Sequence, residues 1–585
     1  MPNRVKIKIA GESGAGLLSA GKITIRALRN KGLYVVADRE YPSLIKGGHS
    51  CFRINAGRGK VHGLCSGFDV LMTLDKTSVV AYFDEINDNG IWVMGYERLE
   101  GLEEYIKKAK ERGIQIFHLP ARRISTEQGG NFLMQNMVIL GMLWKALGFE
   151  YKFIENEVRE EFADKPKLLE IDLRCLAAGY EGSFDGVPFA KRDGVNFGEM
   201  TDEISGERMI LDGNDALVHG AVAAKCGAYF AYPMSPSSSI LTYMAERAKE
   251  TGIIVKQCED EITVANMALG AMFMGMRSLL ATSGGGYDLM TETVSLAGMI
   301  ETPLVAIIAQ RPGPATGLPT WTGQGDFNLA VYSAHGEFSR VVLAVSNAED
   351  CYLMVQHALN LAEEFQIPVI LLTEKQIAES LWTIDGFGED PEIRRGLVKG
   401  EELAGLSNSD RYKITENGLS KRWAPGSSDA YYFANGDEHG EDGSLTEEAD
   451  LAGRMYEKRL KKMAIIEAAL PEPEVFGGEG GADISFVGWG SSKNVMLDVI
   501  EECREIGVKV NYLHFGYVFP LKKAVLKKFL DENKNVHVIE GNYTGQFANF
   551  VEGEMKFEFR GRLLKWNGRS FFVEEVLDYV NENKM

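Results

Sequence analysis

Two hydrophobic rhythms alternate along the chain. Short apolar runs bounded by glycine, proline or acidic residues, among them RVKIKIAG, FDVLMTL, GIWVMG, GIQIFHL, SLLATS, PLVAIIAQ, ADISFVGW and NVHVIEG, predict buried strands. Between them lie segments with small and apolar residues at helical spacing, such as GNDALVHGAVAAKCG and EITVANMALGAM. Strand followed by helix, repeated, predicts α/β layers with mainly parallel strands. NFLMQNMVILGMLWKALG predicts one long apolar helix over residues 131–163, packed on the first sheet. The rhythm lapses twice. It lapses over 186–208, polar and glycine-bearing, and again over 386–470, which is turn-rich and charged until the basic helix YEKRLKKM. The expected organisation is therefore an α/β domain at 1–185, a linker at 186–208, a second α/β domain at 209–385, an extended arm at 386–470 and a third domain at 471–585. Tyr412, Trp423, Tyr431, Tyr432 and Phe433 favour an ordered arm laid on a surface over a disordered one.

Composition narrows the class. With 585 residues and 45% hydrophobic content the chain can fill three cores. A formal net charge of −20 argues against nucleic acid as a partner. No apolar run reaches membrane-span length and MPNRVKIKIAGE lacks a signal peptide's apolar core, so a cytoplasmic location is expected. The seven cysteines are scattered without a CxxC pair, which excludes zinc and iron–sulfur motifs and predicts small buried hydrophobes. His439, among Asp437, Glu438, Glu441 and Asp442, suggests a metal, although such a string of acids usually marks a solvated turn.

Candidate chemistry concentrates where strands of the second domain end. In GAYFAYPMSPSSS a strand stops at two prolines that flank Met234 and Ser235, and Pro236 is suited to be the first helical residue. Ser235 either caps the helix or helps bind an anion. In VKQCEDEITVANMALGA, Glu261 enters a helix whose apolar face comprises Ile262, Ala265, Leu269 and Met272. It is either a surface charge or a buried acid with a reason to be there. SLLATS runs into Ser283-Gly284-Gly285-Gly286. PLVAIIAQ ends at Arg311 and opens a loop stiffened by Pro312, Pro314 and Pro319 and freed by Gly313, Gly317, Gly323 and Gly325. Open α/β sheets bind ligands at these carboxyl ends.

The stretches YPMSPSS, EDEITVANMALGA, TSGGGYDLMTE and QRPGPATGLPTWTGQGDF, in this order, resemble the α subunit of 2-oxoacid:ferredoxin oxidoreductases. The resemblance is to the 2-oxoglutarate-type form that carries a γ domain fused at its N-terminus. The opening IAGESGAG turn imitates a dinucleotide fingerprint, but its spacing is G-x-x-G-x-G. With YPSLIKGGHS it resembles the γ domain better, and EGNYTGQFANF resembles the domain related to the transketolase C-terminal domain. The implied fold is α/β with three domains and doubly wound sheets, the second a thiamine-enzyme pyrimidine-binding domain and the third transketolase C-terminal-like.

What the resemblance implies follows residue by residue. Glu261 is the catalytic carboxylate that hydrogen-bonds the aminopyrimidine of thiamine diphosphate. Tyr232, Ser235, Arg311 and Thr316 face the substrate, with Arg311 suited to clamp a carboxylate through its planar fork. Gly47, Gly48 and His49 form a loop near coenzyme A, although His49 reads equally well as a structural loop histidine. This chain has neither a Gly-Asp-Gly diphosphate motif nor cysteines for a cluster. A β subunit is therefore expected to supply the Mg site and a 4Fe-4S cluster, in an αβ or (αβ)2 assembly that reduces ferredoxin. The expected reaction is oxidative decarboxylation of a 2-oxoacid, 2-oxoglutarate favoured, to acyl-CoA and CO2. Alternatives are a pyruvate or branched-chain 2-oxoacid enzyme and a non-catalytic scaffold subunit. Ser235, Gly285, Ala315 and Gly323 depart from the family's usual threonine, proline, serine and acidic or amide residue, which leaves the substrate less defined than the reaction class.

Overall fold

The computed structural model of the chain describes residues 4–12, 16–43, 48–192, 195, 208–478 and 480–584. They form two compact units. Among the described residues no helix is long and apolar enough to cross a membrane.

The first unit comprises residues 1–211 with two later segments, Ser380–Gly386 and Phe572–Asp578. Its sheet is mixed rather than mainly parallel. Arg4–Glu12, Phe68–Thr73, Ile86–Met94 and Gln115–His118 run parallel in the order 115–118, 86–94, 68–73, 4–12. On the other side of Arg4–Glu12 the sheet turns antiparallel through His49–Gly57, Tyr34–Glu40 and Leu381–Ile384. The strand His49–Gly57 is the element the pattern concealed. HSCFRINAG carries His, Arg and Asn between its apolar residues, yet is buried from Cys51 to Gly57 because a central strand must cover both faces.

The long helix expected over 131–163 is two helices after a short 3-10 turn: Gln135–Leu147 and Tyr151–Glu161. Gly148 ends the first with φ 83°, a left-handed cap that a side chain would strain. Gln135–Leu147 is apolar all round because it is buried all round, with Trp144 fully enclosed.

The second unit holds the remaining two sheets. Its larger sheet orders Tyr517–Phe519, Val341–Ala344, Pro368–Glu374, Leu304–Gln310, Ser278–Thr282, Ala228–Ala231 and Ile254–Gln257. All neighbours are parallel except the first pair. Pro368–Glu374 and Leu304–Gln310 are buried at every position, as strands covered on both faces require. The smaller sheet pairs Ile484–Trp489 in parallel with Val510–Phe515 and Val536–Glu540. Tyr517–Phe519, just past its second strand, crosses to close the edge of the larger sheet. One apolar core serves both sheets, joining Val342, Ile308 and Phe327 to Trp489, Phe515 and Phe547.

The segment 386–470 is held by buried side chains. Tyr412 and Trp423 are fully enclosed, whereas Tyr431 and Phe433 stand in solvent. Arg411 donates to the carbonyls of Ile300 (3.0 Å) and Glu301 (2.8 Å). Lys458 and Lys462, on the helix Ala449–Ala469, both pair with the buried Glu301 carboxylate. Burial opposes that charge, but the two lysines and Arg411 hold the Glu301 carboxyl well below its ordinary range. His439 is neither a metal ligand nor part of a solvated turn. It is fully buried against the Tyr412 ring, with its nitrogens on the carbonyls of Gly440 and Met299. Among the described residues no cluster of His, Cys, Asp and Glu could hold a metal ion. All seven cysteines are free and buried.

Candidate active site

Four adjacent strands of the larger sheet, ending at Gln257, Ala231, Thr282 and Gln310, deliver the site residues along one edge. After Ala231 the chain does not enter a helix at Pro236. The Ser235–Pro236 peptide is cis, and the helix Ser238–Thr251 begins two residues later with Ser237 at its N-cap position. The hydroxyl of Ser237 donates to the Met234 carbonyl (2.7 Å), and Asn214 donates to the Pro236 carbonyl (2.9 Å). Ser235 thus stands in a pinned turn, half-buried, ahead of the helix rather than capping it.

Glu261 is the first residue of the helix Glu261–Phe273. Asp260 is the cap, its carboxylate accepting from the Thr263 N–H (2.7 Å). Ala265, Leu269 and Met272 are buried as expected, together with Val264 and Ala268. Ile262 instead faces outward, 51% exposed. Glu261 itself is only 5% exposed, and no described residue donates to its carboxylate. Its room comes from Gly286, where a Cβ would lie 2.9 Å from Oε1 of Glu261 and 2.1 Å from Oγ1 of Thr282. Gly284 serves a second carboxylate in the same way. A Cβ there would lie 2.6 Å from both oxygens of Asp326. Gly285 has open space. Two acids therefore flank one glycine turn.

Arg311 completes the group. Its Nη1 donates to the main-chain carbonyl of Ser235 (2.8 Å), so the fork is aimed while part of it stays free. Burial pushes the guanidinium below its ordinary value, partly offset by Asp326. Oδ2 of Asp326 and Oγ of Ser283 are buried and find no hydrogen-bond partner among the described residues. Burial, with repulsion from Asp288, pushes the Asp326 carboxyl up to about 6 against the pull of Arg311.

The loop after Arg311 is fastened by the EGNYTGQ turn at the end of the strand Val536–Glu540. Gln324 exchanges two bonds with Gly541, N–H to carbonyl at 2.8 Å and amide oxygen from N–H at 2.7 Å. Asn542 donates to the Gln324 carbonyl (2.9 Å) and Gln546 to that of Gly325 (2.8 Å). The Gln324 amide also reaches the buried Glu374 (3.1 Å) and the Trp489 carbonyl (3.1 Å). Pro312, Gly323, Asp326, Asn542, Tyr543 and Trp566 help to line a cavity of about 430 Å³ here.

Of the residues expected at the site, Glu261, Ser235 and Arg311 are thus linked through Gly286, Thr282 and Met234. Tyr232 (39% exposed) and Thr316 (exposed) make no hydrogen bond to them. Gly47 lies outside the described residues. In the first unit, Gly48 has φ 84°, and His49 is not in a loop but begins a strand opposite Glu12, its ring edge-on to Tyr82. Asp326, Gln324 and Asn542 escaped the sequence reading. The only local sign was a lone acid, in QGDF, inside a glycine-rich loop.

An unpartnered, nearly buried carboxylate, two orphaned polar atoms and a glycine cradle are what a ring-bearing cofactor with nitrogen donors would fill. Comparison with known families agrees. The model for pyruvate flavodoxin/ferredoxin oxidoreductase, thiamine diphosphate-binding, matches residues 219–456. Pyruvate ferredoxin/flavodoxin oxidoreductase matches 6–182, and pyruvate:ferredoxin oxidoreductase core domain II matches 482–576. A 2-oxoacid:ferredoxin oxidoreductase subunit alpha from a Sulfolobus species is 29% identical over 98% of this chain and 96% of its own. The 2-oxoglutarate oxidoreductase subunit KorA of Mycobacterium tuberculosis is 28% identical over 98% and 91%. Among solved structures, the 2-oxoglutarate:ferredoxin oxidoreductase of Magnetococcus marinus, with 2-oxoglutarate, coenzyme A and succinyl-CoA bound, superposes with a TM-score of 0.90. It is 28% identical and covers all of both chains. Over nearly its whole length, then, the chain is similar to the α subunits of 2-oxoacid:ferredoxin oxidoreductases, and its matched segments are those of pyruvate ferredoxin/flavodoxin oxidoreductases.

Proposed function

We propose that this chain, together with a β subunit, oxidatively decarboxylates a 2-oxoacid to acyl-CoA and CO2 and passes the two electrons to ferredoxin, with 2-oxoglutarate the favoured acid. The observation that carries this is the pairing of an unpartnered buried carboxylate, Glu261, with an aimed guanidinium, Arg311, at neighbouring strand ends. Thiamine diphosphate, when bound, supplies a carbon nucleophile and an electron sink for decarboxylation. Glu261 would accept a hydrogen bond from the aminopyrimidine ring nitrogen, holding a proton there and favouring the basic form of the ring's exocyclic nitrogen. Arg311 would orient the acid by its carboxylate, with the Ser235 hydroxyl beside it. The β subunit would bring the Mg-held diphosphate and the 4Fe-4S cluster, and Gly47, Gly48 and His49 would lie along the coenzyme A path. The preference for 2-oxoglutarate is supported by the KorA relative and by the ligands of the Magnetococcus structure.

The test is anaerobic reduction of a viologen dye by the purified α–β complex, with 2-oxoglutarate, pyruvate and a branched-chain 2-oxoacid, each with and without coenzyme A. Coenzyme-A-dependent reduction with 2-oxoglutarate as the best acid is expected. No reduction with any acid by a complex that holds thiamine and cluster would overturn the proposal.

A further inference from the structure

Asp326 is the unexplained group of the site. A carboxylate oxygen buried without a donor is costly if charged, and a protein keeps such a group when the neutral acid or a ligand resolves it. Asp326 cannot swing away. Its N–H is held by the Gln310 amide oxygen (3.1 Å), its oxygens sit in the space left by Gly284, and the two preceding residues are fastened to Gly541, Asn542 and Gln546. The charged groups that face it are few. Arg311, at the end of Leu304–Gln310, attracts the ionised form, and Asp288, on the short helix Gly284–Asp288, repels it. The turn Gly541–Gln546 carries no charge. Arg311 spends one nitrogen on the Ser235 carbonyl and none on Asp326.

We propose that Asp326 is a positioning residue for the substrate carboxylate: as a neutral acid it leaves the charge of Arg311 free to hold the 2-oxoacid anion, and on ionising it offsets that charge and repels the anion. This deepens the function proposed above and rests on Arg311 binding the acid. A 2-oxoacid is ionised throughout the working range, so Asp326 is the group beside Arg311 whose charge changes. Binding of the anion then favours the protonated Asp326 and takes up a proton. A carboxyl pushed up to about 6 places the change where the enzyme can be assayed.

The experiment compares KM and kcat for the preferred 2-oxoacid from pH 5.5 to 8.5 in the intact α–β complex, for the wild type and Asp326→Asn. Asparagine keeps the shape and cannot ionise. The wild-type KM is expected to rise towards about tenfold per pH unit above the transition, while kcat changes little. The Asp326→Asn KM is expected to stay low and flat. Asp288→Asn, on an exposed side chain, removes the repulsion and is expected to move the KM rise to lower pH even if Asp326→Asn fails to assemble. Parallel KM profiles for wild type and Asp326→Asn overturn the proposal, as does an Asp288→Asn profile that does not move. A pH-independent loss of kcat in Asp326→Asn overturns it too, by placing the residue in the chemistry. No turnover of any acid by the wild-type complex instead overturns the functional reading on which the proposal rests.

Discussion

The guanidinium of Arg311 donates to the main-chain carbonyl of Ser235 across 2.8 Å, so the turn, not the serine hydroxyl, aims the arginine. Lysine at 311 keeps a charge but loses the fork that can hold a carbonyl and a carboxylate at once. Arg311→Lys is expected to raise KM for the 2-oxoacid about 10- to 100-fold, the worth of one charged hydrogen bond of about 1.5–3 kcal/mol. Ser235→Ala leaves the carbonyl in place and is expected to cost a few-fold. Steady-state kinetics of the complex checks both.

Among the described residues Glu261 has no hydrogen-bond partner to lose. Glu261→Gln should therefore lower kcat by about 10²- to 10⁴-fold, the usual worth of a positioned proton-handling group. The urea midpoint of the isolated chain should not fall, since removing an unpaired buried charge does not destabilise. A large loss of stability would mean that the carboxylate is structural.

Gly285 and Gly286 are neighbours with opposite tolerance. A methyl at 286 meets the Thr282 hydroxyl and the Glu261 carboxylate, and one at 285 meets nothing. Gly286→Ala is expected to cost about 1–3 kcal/mol and most of the activity, and Gly285→Ala little of either. Parallel denaturation curves and turnover rates decide.

Glu301 satisfies Lys458 and Lys462 in the buried arm contact. Its folded pKa lies below the unfolded value of 4.5, so its stabilisation is fully present above that pH and is lost as pH falls towards the folded pKa. Glu301→Gln leaves two buried ammonium groups uncompensated and is expected to cost about 3–5 kcal/mol at pH 7. The gap from wild type should shrink in urea melts as the pH is lowered below 4.5.

Much of this architecture was legible because strand and helix leave different periods. PLVAIIAQ and SLLATS have apolar centres, LVAIIA and LLA, and are buried throughout, the mark of strands covered on both faces, and Arg311 and Ser283 sit just past those strands' ends. His49–Gly57 was not legible, because its polar residues break the run and the charges they carry are satisfied only by distant partners such as Arg53 with Glu40. The split of 131–163 turned on Gly148, whose backbone angle cannot be read from an apolar stretch. At the site, Glu261 and Arg311 stood out as charges at strand ends. Asp326 did not, because its significance lies in what fails to bond to it, and Gln324 did not, because its partners at Glu374, Trp489, Gly541 and Asn542 are all remote in sequence.

The strand Tyr517–Phe519 that closes the edge of the larger sheet also sets an order of events during synthesis. A ribosome that has released the chain through Glu379 has released Glu261, Arg311 and Asp326, yet the strand Val341–Ala344 still has one bare edge. That edge waits until residue 519 has emerged. Over the intervening interval the nascent chain exposes an unpaired apolar strand able to pair with another copy, so a chaperone that shields strand edges would act on this protein late, after the strands that precede Glu261 and Arg311 are already made.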